Sequence, residues 1–226
     1  MQQHDLGNAS IEKRATEQAS LIYIYDPMCS WCWGFAPTWQ KLQHKIYSQN
    51  LCKIDMKVGG LAPDSDQDMP ADMQKFLQQT WQKISRTLGT EFNFDFWTKC
   101  QPRRSTYPAC RAVLIARSFD KEQEMLLAIQ QAYYLNAQNP SDIELLIALA
   151  AQLNIPKESF AQQLVSNELN EQLLAEINFA RQLPIAGFPS LVVINNGNYH
   201  SISLDYKNEQ TMLREIKHII GGSVQS

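Results

Sequence analysis

Two cysteines separated by two residues, Cys29 and Cys32, stand in the segment D-P-M-C-S-W-C-W-G. Such a pair supports thiol–disulfide exchange or supplies half of a tetrahedral metal site. In exchange, one cysteine attacks a disulfide as its thiolate, and the other displaces the resulting mixed disulfide. A metal site needs a second tight pair. The remaining cysteines, Cys52, Cys100 and Cys110, supply none, and His4, His44, His200 and His218 form no cluster in the sequence. The spacing therefore predicts no bound metal. Five cysteines, an odd number at irregular spacing, also argue against a structural disulfide framework.

The elements around the pair must present it. Residues 21–26 (LIYIYD) read as a buried strand, ended by Pro27, which has no N–H for a ladder. Residues 33–48 carry Phe35, Trp39, Leu42 and Ile46 at helical spacing. Pro37, inside that stretch, predicts a kink. Cys29 then falls where a strand ends and a helix begins. Free N–H groups and the positive end of the helix dipole favour a thiolate there, so Cys29 is the expected nucleophile. Cys32, one turn on, is the expected resolving thiol, with the pair at the helix start and not on its buried face. Residues 53–61 alternate Ile54, Met56 and Val58 before Gly59-Gly60, a second strand that completes a parallel β-α-β unit.

From 62 to 182 no strand pattern occurs. Met73, Phe76, Trp81, Ile84 and Leu88 mark an amphipathic helix stopped by Gly89. Residues 108–119 and 122–137 read as two more. Ser141-x-x-Glu144 reads as a capping box opening a helix through 153, Pro156 as the first residue of the next, and 168–183 as a sixth. Strands return at 191–195, then Asn196-Gly197, a hairpin signal, then 199–204 and a closing helix over 208–220. The organisation expected is one domain formed by 1–62 and 183–226, interrupted by a helical insertion over 63–182.

The chain has 226 residues, 44% hydrophobic and 19% charged, with net charge −3. That balance predicts neither nucleic-acid binding nor adhesion to a membrane, and no apolar run reaches about 20 residues. The first 20 residues lack the apolar stretch of a secretory signal, which predicts cytoplasmic residence; Asn8-Ala9-Ser10 fits a glycosylation acceptor only in form. Trp31, Trp33, Phe35 and Phe188 read either as an apolar platform beside the cysteines or as core packing.

The segment Y-x-Y-D-P-M-C-S-W-C-W-G-F-A-P, followed far downstream by G-F-P-S-L-V-V, resembles the DsbA-like thioredoxin family, and within it the branch of predicted protein-disulfide isomerases related to FrnE-type proteins. The resemblance spans 21–220 and implies an α/β thioredoxin fold with a large all-helical insertion. It implies catalysis by Cys29 and Cys32, with Phe188-Pro189 as a cis-proline step beside them. Ser30, Trp31, Phe188 and Pro189 are the expected substrate-binding residues. The implied activity is that of a thiol–disulfide oxidoreductase, or disulfide isomerase, on protein substrates or glutathione, with no cofactor beyond the dithiol and glutathione as a candidate co-substrate. The alternative is a glutathione-dependent transferase or isomerase of the kappa or 2-hydroxychromene-2-carboxylate isomerase type, whose relatives usually keep a serine or a single cysteine at the site. Two departures stand out. The buried acid that many thioredoxin-like proteins carry six residues before the first cysteine is replaced by Tyr23, and the dipeptide between the cysteines is Ser30-Trp31. The resemblance also suggests that the loop 103–106 overhangs the site, where its composition alone reads as a solvated turn.

Overall fold

The computed structural model describes residues 19–222; the N-terminal segment read above for a signal and a glycosylation pattern lies outside the described residues. A four-stranded sheet has the order β2-β1-β3-β4, made of β1 (Ser20–Tyr25), β2 (Lys53–Val58), β3 (Ser190–Asn195) and β4 (Asn198–Ile202). β1 runs parallel to β2, Tyr25 opposite Val58, and antiparallel to β3, Tyr23 opposite Leu191. Being central, β1 is apolar on both faces, as a strand flanked on each side must be. Its alternate residues part accordingly. Leu21, Tyr23 and Tyr25 join the main core, while Ile22 and Ile24 pack with Ala180, Leu183 and Val192 on the other face. The hairpin from β3 to β4 turns through Asn196 and Gly197 with φ of 49° and 76°, the left-handed pair that such a two-residue turn requires.

The parallel crossover is α1 (Ser30–Ser48), three residues longer at its start than periodicity predicts, because Ser30 and Trp31 already lie in its first turn. Pro37 lies inside it. The elements between β2 and β3 are α2 (Ala71–Leu88), α3 (Phe96–Lys99), α4 (Tyr107–Arg117), α5 (Glu122–Tyr134), α6 (Ile143–Gln152), α7 (Lys157–Leu164) and α8 (Asn167–Gln182). α2 ends at Gly89, whose φ of 75° closes the helix in the left-handed region. The one-turn α3 is too short to leave a periodic pattern. The capping box at Ser141 does not form: Asp142 is the N-cap of α6, and the Ser141 hydroxyl donates instead to the Ser105 carbonyl at 2.7 Å. Pro156 is the N-cap of α7 rather than its first residue. The chain closes with α9 (Glu209–Gly221), packed on α1, β3 and β4.

β2 is an edge strand, and side chains complete its outer side. The Val58 N–H donates to Glu176 Oε1 at 2.7 Å, and Arg117 Nη2 donates to the Met56 carbonyl at 2.9 Å. Arg117 also grips Glu176 and Glu122, and Tyr25 donates to Glu122. This network ties the ends of α4 and α5, together with α8, to the strand that follows the cysteine helix. Among the described residues no helix is long and apolar enough to cross a membrane.

Candidate active site

Cys29 is the N-cap of α1, with extended dihedrals (φ −82°, ψ 115°) and no side-chain cap bond. Its N–H donates to the Asp26 carbonyl at 3.1 Å, and its own carbonyl accepts from Trp33 N–H. The thiol therefore sits at the unsatisfied end of the helix, whose first turn holds no acidic residue to oppose the dipole. Cys29 Sγ lies 3.5 Å from the Phe188 carbonyl, and the Phe188-Pro189 peptide bond is cis. The fold thus joins residues 159 apart in sequence at one sulfur. Among the described residues all five cysteines are free thiols.

Contrary to the expectation that the pair avoids the buried face of the helix, both thiols are buried: Cys29 keeps 8% exposure and Cys32 none. Burial is the main reason that the Cys32 thiol is held well above the ordinary range, with the neighbouring Cys29 adding to it. Cys29 keeps a small opening to solvent and Cys32 has none.

Sequence reading assigned no role to Asp26, which is fully buried directly before the motif. Its carboxylate accepts from Leu61 N–H at 2.7 Å, Thr106 Oγ1 at 2.7 Å and Met28 N–H at 2.8 Å. The Cys110 thiol lies 3.6 Å from Oδ2, the oxygen that Leu61 and Thr106 also reach, while Met28 bonds Oδ1. Burial raises the Asp26 carboxyl, and these donors oppose the shift. Ser105 and Thr106 are buried, so this part of the loop 103–106 is no solvated turn, although Arg104 is exposed. An acid three residues before a helix-capping cysteine was a legible signal for Asp26; nothing local signalled Thr106 or Cys110.

Tyr23 holds the position six residues before Cys29. Its phenol is raised well above normal, first by burial and then by the charges of Cys32 and Cys29. The Tyr134 hydroxyl is buried with no hydrogen-bond partner among the described residues; its ring stacks on Trp33 at 5.7 Å. Of the aromatic residues read as a platform, Phe35 is core, and Trp33 and Phe188 are half-buried. Trp31 is also half-buried, packed edge-on against Tyr206 with the Lys83 ammonium 5.8 Å from its ring. Ser30, between the cysteines in sequence, and Pro189, far downstream, are both buried. A cleft of about 1280 Å³ lies behind α1, lined by Trp33, Thr38, Gln43, Gln130 and Tyr206; neither cysteine borders it. Among the described residues no group of His, Cys, Asp and Glu is arranged to hold a metal ion.

A cysteine capping the helix of a β-α-β unit, its partner one turn on, and against the first sulfur the carbonyl of the residue before a cis-proline define a thioredoxin-fold dithiol protein. A family model described as thioredoxin matches residues 22–214, and the chain belongs to that family. It is similar to a candidate protein disulfide isomerase from Nitrosomonas europaea (TM-score 0.76, 27% identity, covering 92% of this chain and 100% of that one). It shares the fold of the cytosolic disulfide reductase DsbM from Pseudomonas aeruginosa (TM-score 0.68, 22% identity, 91% and 98% covered), which has also been solved with GSH. Among curated proteins it is similar to the ClpXP adapter protein SpxH of Halalkalibacterium halodurans, 24% identical over 206 residues, 84% of this chain and 63% of that protein. The Bacillus subtilis SpxH is 22% identical over 196 residues, 85% of this chain and 64% of that protein. The chain thus spans less than two thirds of the length of these curated relatives.

Proposed function

We propose that the chain is a thiol–disulfide oxidoreductase in which Cys29 is the attacking and Cys32 the resolving cysteine. The observation that carries this reading is the pairing of a helix-capping thiol, facing the Phe188 carbonyl, with a second, fully buried thiol in the first turn of the same helix. In the reductive direction, the Cys29 thiolate attacks one sulfur of a substrate disulfide. That S–S bond breaks, an S–S bond to Cys29 forms, and the released substrate thiolate takes a proton. Cys32 then loses its proton and attacks the Cys29 sulfur, releasing the second substrate thiol and leaving a Cys29–Cys32 disulfide. Two molecules of a thiol such as glutathione restore the dithiol by the reverse exchange, carrying the two electrons in and leaving joined as their own disulfide. Because burial holds Cys32 protonated, resolution needs a proton acceptor. Asp26, a buried carboxylate whose charge acts on Cys32, fits that part. When Cys29 ionises, the Phe188 carbonyl loses its thiol donor and is left to accept an N–H from an extended substrate; in this reading Ser30, Trp31 and Pro189 join Phe188 in binding it.

The similarity to DsbM, solved with GSH, supports glutathione as co-substrate and a cytoplasmic setting. The test is turnover of a disulfide-bonded protein, such as insulin, with glutathione as electron source. Cys29→Ser is expected to abolish turnover, and Cys32→Ser to accumulate covalent adducts at Cys29. Wild-type turnover by Cys29→Ser would overturn the proposal. A second reading, a client-binding adapter, rests on the SpxH relatives. It predicts client binding that survives loss of both thiols.

A further inference from the structure

The contact between Cys29 and the Phe188 carbonyl raises the question of what holds Phe188 in place, since it lies in the connection from α8 to β3. Its ring lies on Gly59, just past the end of β2. A Cβ built on Gly59 would stand 2.1 and 2.2 Å from two ring carbons of Phe188, far inside van der Waals contact. Gly59 itself is buried, with no left-handed φ to explain the glycine. Gly60 is different: it has φ of 62°, and its Cβ would strike Ile177. The turn is fastened on both sides of the contact. Gly59 N–H donates to the Tyr25 carbonyl at 2.7 Å, and Leu61 N–H donates to Asp26 Oδ2 at 2.7 Å. A side chain at position 59 could therefore not be relieved by moving the turn without breaking the β1–β2 ladder or uncovering the Asp26 carboxylate. The Phe188 ring has to leave. That ring also packs on the apolar groups of both sheet faces, so displacing it breaks those contacts.

We propose that Gly59 is a positioning residue of the site: its missing side chain is the slot that seats Phe188, and through Phe188 it sets the carbonyl that meets Cys29. Asp26 belongs to the same device, because it anchors the turn at Leu61 while its main-chain carbonyl holds Cys29 N–H. The effect on chemistry rests on the exchange reading given above; the seating of the ring does not.

Two measurements separate these parts. The first is the rate at which a disulfide-bonded peptide forms a mixed disulfide with Cys29, in a Cys32→Ser background. Gly59→Ala is expected to slow it about tenfold, the scale of one misplaced polar contact. Gly187→Ala, in the Phe188 connection but with nothing within 4 Å of its Cβ, is expected to leave the rate unchanged. Gly59→Ala combined with Phe188→Leu, which removes the two ring carbons nearest Gly59, is expected to react at the rate of Phe188→Leu alone. The second is urea unfolding of the same variants, where Gly59→Ala destabilises and Phe188→Leu cancels that loss. If exchange is absent from the wild type but the unfolding coupling is present, the functional reading falls and the seat stands. If Gly59→Ala reacts at the parent rate, or if the double variant carries the sum of both single defects, the proposal is overturned.

Discussion

Cys29 and Cys32 carry the same side chain in opposite surroundings. Cys29 caps a helix and keeps a residual opening, while Cys32 is sealed and held protonated by burial. Iodoacetamide near neutral pH is therefore expected to label Cys29 at least about tenfold faster than Cys32, since only an accessible thiolate reacts. Mass spectrometry of a short time course reads the ratio; equal or inverted rates would contradict the assignment of roles. Asp26 gives a prediction in pH. Its folded-state affinity for the proton is raised above that of an unfolded aspartate, by burial. The folded state then binds the proton more tightly, so this group's penalty is absent below the unfolded value of about 3.9 and grows as pH rises through the folded one. Asp26→Asn removes that dependence. In urea unfolding at several pH values, the wild type is expected to gain stability relative to Asp26→Asn as pH falls from neutral towards about 4. A relative loss on acidification would show that the carboxylate is stabilised as an anion.

At the scale of elements, the edge of β2 carries a heavy dependence on one side chain. Arg117 satisfies the Met56 carbonyl and neutralises Glu122 and Glu176, which are both largely covered. Burial by itself would weaken its hold on the proton, but the hydrogen bonds and charges of Glu176 and Glu122 more than reverse that and keep it a cation. Arg117→Leu leaves two carboxylates without their partner and is expected to cost about 2–4 kcal/mol of stability. Urea unfolding measures it. A loss under about 0.5 kcal/mol would mean the network is solvated and weak, as exposed pairs are. Because the hydrogen bonds of Arg117 go to Glu122, Glu176 and the Met56 carbonyl and none to a cysteine, Cys29 labelling of the folded variant should match the wild type.

For the molecule as a whole, one buried cluster runs from Leu21 and Tyr23 through Phe35 and Trp39 into Trp81, Phe96, Tyr133, Leu146, Phe160 and Leu173. The division into a sheet domain and a helical insertion over 63–182 remains a proposal about organisation, and the shared cluster bears on how the two parts unfold. With the interface continuous, the parts should unfold as one. Far-UV circular dichroism and tryptophan fluorescence are expected to give coincident urea transitions, reporting backbone and core together. Two separated transitions would show that the helices form an independent unit.

Local sequence determined much of this protein. The C-x-x-C pair, the strand–helix junction that presents it and most helix stops depend on spacing, turn residues and periodicity, which act over a few neighbours. Gly89 stopped α2 where its pattern ended, and Asn196-Gly197 turned the hairpin, because both need a left-handed backbone that few residues adopt. Helix ends were less legible. The first turn of α1 starts at Ser30, and Ser141 serves the Ser105 carbonyl instead of a cap, because a distant partner outbid the local one. Other contacts lay beyond local pattern. The resemblance, and no local spacing, put Phe188 beside the cysteines, and the fold brings its carbonyl to Cys29 across 159 residues; tertiary structure alone brought Thr106 to Asp26 across 80. It also decided that Cys32 is sealed, since burial is a property of what packs on a side chain and no spacing within the motif records it. Gly59 shows the same limit: in sequence it is one of two glycines after a strand, and only the ring of Phe188 against its α-carbon shows why a side chain is excluded there.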